Sequence, residues 1–295
     1  MKKLMRLFFI SAVFCLLAVA CIAAEPIQIT VSIPPQKYFV EKIGGSRVRI
    51  TVMAPAGGCA ETYEPKPQQM TALSQSRIYF AIGFPFEDVW LPRFAAANPR
   101  LLICRTDEGI KKLAMDAHRG HEHGDKKDKM LDPHIWLSPP LARVQAKNIL
   151  KALQSADAAS SGTYQRNFEI FVAELAKLDA TIRESFKGVK KGSVFLAMHP
   201  SWQYFAEEYG LKQMVIEIEG REPKPKEMME IIQTAKEHRI KIIYTPPQTS
   251  LRTVETVAKA LDARVAVIDH LSEDWEKTIL LFRDSIVQSS KQSAE

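Results

Sequence analysis

From Ile27 onward, short runs of β-branched and aromatic residues alternate with longer stretches in which apolar positions recur every three or four residues. That alternation predicts βαβ units and parallel sheets. Ile27 to Ile33, Val48 to Ala54, Arg77 to Gly83 and Leu101 to Arg105 read as four strands of a first domain. Ser193 to Met198, Gln213 to Glu217, Ile240 to Tyr244 and Arg264 to Ile268 read as four strands of a second. The fold class is therefore α/β, with two lobes of similar size, each a mainly four-stranded parallel sheet flanked by helices.

Between the two sets, Tyr164, Phe168, Phe171, Leu175, Leu178, Ile182 and Phe186 follow one another at steps of three or four. One face of a single long helix is the only regular structure with that period. It is expected from about Thr163 to Lys187, about 37 Å long at 1.5 Å per residue, with Gly188 and Gly192 available to end it. The expected layout is a leader at 1–24, an N-terminal lobe at 25–160, a linking helix at 161–190 and a C-terminal lobe at 191–295. A helical link lacks the freedom of a Gly/Ser tether, so the lobes should shift only slightly against each other.

With 46% apolar and 25% charged residues among 295, neither a disordered chain nor a polytopic membrane protein fits. The formal charge of +6 invites a nucleic-acid reading. Its location removes most of that: Lys2, Lys3 and Arg6 precede an uncharged run from Leu7 to Ala24, the pattern of a secretory leader. Without the leader the charge is a modest +3, three of the 40 basic residues and none of the 34 acidic ones lying in it, and no nucleic-acid partner is expected. Cleavage is expected after Ala24, with a lipoprotein-type cut before Cys21 as the alternative, Ala18-Val19-Ala20-Cys21 being a degenerate site of that kind. Cys59 and Cys104 would form one disulfide in an oxidising compartment or stay as two independent thiols; a lone pair gives no spacing to decide.

No Walker loop, Gly-rich dinucleotide turn, helical His-Glu-x-x-His or nucleophile elbow occurs. What stands out is polar residues at strand ends. His199 follows the fifth strand, Asp269 follows the eighth, Glu61 lies in the Gly-rich loop after the second, and His134 sits in Asp132-Pro133-His134-Ile135-Trp136. Ligands of open α/β sheets bind beyond the carboxyl ends of strands, so these residues, two from each lobe, can face one crevice. Two imidazoles and two carboxylates there would suit a divalent metal and neutralise its charge. Upstream, the segment 116–130 has no apolar period and carries His118, His121 and His123, either a weak metal-holding loop or an incidental solvated one.

Several motifs occur together and in order: Ser32-Ile33-Pro34-Pro35-Gln36-Lys37-Tyr38, Ile43-Gly44-Gly45, Thr62-Tyr63-Glu64-Pro65-Lys66-Pro67, Asp132 to Pro139, His199-Pro200-Ser201-Trp202 and Ile268-Asp269-His270-Leu271. The combination closely resembles the extracytoplasmic metal-binding receptors that feed zinc or manganese ABC importers, over essentially the whole chain beyond the leader. The resemblance implies two α/β lobes on one rigid helix with metal between them. Position by position, it puts the second ligand on His134, the third on His199 and the acidic last ligand on Asp269. Where relatives usually carry the first His, this chain has Glu61, and His270 stands where proline commonly follows the final Asp. Either Glu61 ligates directly, the favoured account, or His270 or Cys59 moves in.

The expectation is a non-enzymatic, monomeric, exported receptor, periplasmic or held by a lipid on Cys21, that captures Zn2+ and passes it to the membrane permease of an ABC importer. The His-containing loop, similar to the longer His-rich loop of zinc receptors, tips the choice to zinc; Mn2+ or Fe2+ is the alternative cargo. An adhesin-type lipoprotein and an exported metallohydrolase are the competing classes, the latter requiring an open coordination position and a general base.

Overall fold

All eight strands anticipated from the β-branched runs form, in the expected order. The computed structural model describes residues 25–55, 60, 62–115, 131–218 and 220–292. Strands β1 (Ile27–Val31), β2 (Val48–Val52), β3 (Ile78–Ala81) and β4 (Leu102–Arg105) make one parallel sheet in the order β2-β1-β3-β4. Strands β5 (Val194–Ala197), β6 (Lys212–Val215), β7 (Ile242–Thr245) and β8 (Arg264–Val267) repeat that order as β6-β5-β7-β8, also parallel. Each sheet reverses its direction of growth beside its first strand, which opens a crevice at the carboxyl ends.

The helices are α1 (Pro34–Gly44), α2 (Pro67–Ser74), α3 (Pro85–Ala97), α4 (Pro139–Ala156), α5 (Ser161–Ser185), α6 (Gln203–Glu208), α7 (Pro225–Glu237), α8 (Leu251–Leu261) and α9 (Trp275–Gln292). Helices α1, α2, α3, α4 and α7 begin on proline, whose fixed φ and missing N–H suit the first helical position. At three of these starts a Gln or Glu three positions past the cap accepts the cap's backbone N–H: Gln36 from Ile33, Gln69 from Lys66 and Glu227 from Lys224.

Strand β5 shows how sequence alternation divides the core. Phe195 and Ala197 point to one face, into the large core that runs through both lobes. Leu196 and, just past the strand, Met198 point to the other, under α7 and α8 with Ile231, Val254 and Val257. A sheet buried on both faces is what an all-parallel arrangement demands.

The long helix α5 has 25 residues, starting and stopping two residues before the expected bounds. Its buried face is Tyr164, Phe171, Leu175, Leu178 and Ile182. It packs along α1 and α4, and its far end meets the second lobe: Phe186 lies beside Phe205 and Tyr209, and the Tyr209 hydroxyl donates to Asp179 at 2.9 Å. The link is stiff because both lobes buttress it, not merely because it is helical.

The two lobes are joined under the crevice. Trp275 packs against Tyr38 and Phe39 of α1, and its indole N–H donates to the Trp136 carbonyl at 2.8 Å. In return, the Trp136 indole N–H donates to the His270 carbonyl at 2.8 Å. Tyr204 of α6 reaches into the first lobe, donating to the Asp132 carbonyl and accepting from the Leu113 N–H.

Phe282 is fully buried on α9, stacked at 3.7 Å on Trp202 and edge-on to Phe195 and Phe205. Phe282→Ala is expected to cost about 3–5 kcal/mol in denaturant unfolding, because the rings around it cannot close the cavity. Val267→Ala, on the exposed face of β8, should change stability by less than about 0.5 kcal/mol.

Candidate metal centre

Each sheet presents its strand ends to the crevice, where a cavity of about 280 Å³ is lined by Ala60, Phe84, His134, His199, Glu217, Gln248 and His270 among others. His199 comes two residues past β5, Glu217 two past β6, Gln248 from the turn after β7 and His270 from the turn after β8. From the first lobe, Phe84 follows β3, and His134 precedes the 3₁₀ turn that leads into α4. Phe84 is held by Glu87, whose buried carboxylate accepts the N–H groups of Ile82 and Gly83 and the Ser32 hydroxyl. Burial raises the Glu87 pKa, and these donors work against that rise. Gly83 makes the turn at φ +86°, a conformation other residues rarely adopt.

His134 is buried, and its Nδ1 lies 2.7 Å from Asp132 Oδ1, which also accepts the His134 backbone N–H. His199 Nδ1 lies 2.8 Å from Glu217 Oε2. Each carboxylate fixes the Nδ1–H tautomer and leaves the lone pair on Nε2. Those two Nε2 atoms are 3.3 Å apart. Two lone pairs at that separation repel unless a cation lies between them, and the edge of a zinc tetrahedron with Zn–N of about 2.0–2.1 Å is about 3.3–3.4 Å.

A third ring completes the cluster. His270 stacks on His199 with centroids 5.3 Å apart and lies edge-on to His134 at 5.5 Å. Among the described residues, His134, His199 and His270 form the group able to hold a metal, one donor atom of each within 4.8 Å of the others. Burial, then the His199 and His134 rings, hold the His270 pKa well below its usual 6.5, so it is a neutral donor at physiological pH.

Of the anticipated site residues, the structure thus brings together His134, His199 and the auxiliary His270. Asp269 is not in the group: its Oδ1 accepts from Gln248 Nε2 at 3.2 Å and from the Leu271 N–H at 3.0 Å. Glu61, Cys59, the loop histidines His118, His121 and His123, and the leader with Cys21 lie outside the described residues, as does any pairing of Cys104 with Cys59. Asp132 and Glu217 were not anticipated. Asp132 could have been found from its place two residues before His134; Glu217 could have been found as another acid just past a strand.

A family model described as zinc-uptake complex component A, periplasmic (ZnuA), matches residues 29–286. The chain belongs to the ZnuA family. It is similar to the high-affinity zinc uptake system protein ZnuA of Bacillus subtilis (strain 168), 26% identical over 288 residues, covering 92% of this chain and 89% of that one. A crystal structure of ZnuA is 38% identical with a TM-score of 0.84, covering 90% of this chain and 99% of its own. A zinc-bound ZnuA deletion mutant is also 38% identical, with a TM-score of 0.82 and coverage of 90% and 98%. As a ZnuA-family member the chain is a periplasmic zinc-uptake component, a metal-binding receptor and not an enzyme.

The unfolded chain titrates His270 near 6.5, whereas the folded chain keeps it neutral to lower pH. Below about 6.5 the unfolded state therefore binds more protons, and stability falls as pH drops from 7 towards 5. His270→Asn should flatten that fall in a thermal melt of metal-free protein; an unchanged slope would assign it to another group.

Proposed function

We propose that the interlobe cleft captures Zn2+ through His134 and His199 and delivers it to the membrane permease of an ABC importer. The observation that carries the reading is the 3.3 Å approach of two Nε2 atoms whose opposite nitrogens are both bonded to carboxylates. A ligating imidazole that donates its other N–H to a carboxylate is the usual arrangement at metal sites, since the carboxylate raises the basicity of the ring. Asp132 and Glu217 together also offset the double charge of the ion without occupying coordination positions.

An imidazole-rich site suits zinc, and for N/O donors the ordinary affinity order places zinc above manganese and iron(II). The zinc-uptake family and the zinc-bound structural relative support the same cargo. The receptor acts as a monomer outside the cytoplasm, exported by its leader and released, with a lipid anchor on Cys21 as the alternative. Residue 61 follows Ala60, which lines the cavity, so Glu61 stands next in the chain to the site it was expected to join.

Competition with a fluorescent chelator tests this. His134→Ala and His199→Ala should each weaken zinc binding by more than about 100-fold, and Asp132→Asn and Glu217→Gln by about 10–100-fold. Zinc should outcompete manganese. Affinity should fall between pH 7 and pH 5, because protons displace the metal from the imidazoles. Full affinity in the two His variants, with loss on replacing His121, would move the site to the loop.

A further inference from the structure

We propose that His270 is the third metal ligand of this receptor, supplying from the second lobe the imidazole that position 61 of the first lobe lacks. The proposal rests on the zinc-receptor reading and deepens it. The ion would then be held by one imidazole of the first lobe, His134, and two of the second, His199 and His270.

Three observations carry it. The His270 ring offers a nitrogen within 4.8 Å of donors on both other rings, and the Asp269 carboxylate does not join that group. The His270 Nδ1 is buried with no hydrogen-bond partner among the described residues, although a buried polar atom is ordinarily satisfied. Its main chain is anchored independently of the ring, because the His270 carbonyl accepts the Trp136 indole N–H. The backbone is thus fixed at the cleft while, among the described residues, the imidazole has no carboxylate bonded behind it, unlike His134 and His199. Drawing donors spread over as much as 4.8 Å onto one zinc tetrahedron requires movement, and the ring without a tether is the one placed to make it.

Asp269 takes a different role in this arrangement. Its Oδ1 closes the turn after β8 through the Leu271 N–H and ties that turn to Gln248. It is a positioning residue that presents His270 to the cleft.

The experiment is zinc titration of the full chain against a chelator, with X-ray absorption of the zinc-loaded protein to count coordinating imidazoles. His270→Ala should weaken zinc binding by about 100-fold and reduce the imidazole count from three to two, whereas Asp269→Asn should lose less than about tenfold, the lower edge for a group that only orients a ligand. His270→Ala keeps the backbone carbonyl that Trp136 uses, and a thermal melt of the metal-free variant checks its fold. Unchanged affinity in His270→Ala, or a wild-type count of two imidazoles, would overturn the third ligand and leave the receptor standing. Failure of the wild-type chain to take up zinc would overturn both.

Discussion

Two indole–carbonyl hydrogen bonds, Trp136 to His270 and Trp275 to Trp136, pin the lobes together directly beneath the imidazole cluster. Each contributes only about 0.5–1.5 kcal/mol net, but breaking one inside the core strands a buried donor and acceptor at about 1–3 kcal/mol apiece. Around them, Tyr38, Phe39 and Phe171 pack beside Trp275, and a Lys37–Glu273 ion pair closes the rim at 2.5 Å. The spacing between His134 on one lobe and His199 on the other therefore follows from the core and not from a flexible hinge. Tyr204 adds to this, since its hydroxyl crosses from the second lobe to the segment that carries His134.

That rigidity gives the electrostatics of the cleft their value. Rings whose Nε2 atoms are already 3.3 Å apart would lose little freedom on taking the proposed cation. The carboxylates of Asp132 and Glu217 set the tautomers beforehand and supply negative charge from behind the rings. In the same place, water would have to be expelled from an unpaired divalent ion at great cost, and the two carboxylates offset that cost.

The parts of this fold visible along the chain were those with local periodicity. The β-branched runs located all eight strands, and the step of three and four from Tyr164 to Phe186 located α5 to within two residues. His134 and His199 were visible because strand-end and motif positions single them out. The carboxylate partner of His199 was not singled out, because Glu217 lies two residues past β6 and only the parallel pairing of β5 with β6 brings the two strand ends together. The Trp136–Trp275 contact joins residues 139 positions apart and leaves no local signature. His270 was visible as a neighbour of Asp269, yet which of the two side chains faces the cleft depends on the turn after β8.

The most direct test of the cleft as the zinc site is anomalous diffraction at the zinc edge from crystals of the full chain loaded with one equivalent of metal. The expected result is a single strong peak between the lobes, about 2.0–2.1 Å from the Nε2 atoms of His134 and His199. A principal peak elsewhere, with these two Nε2 atoms left uncoordinated, would contradict it.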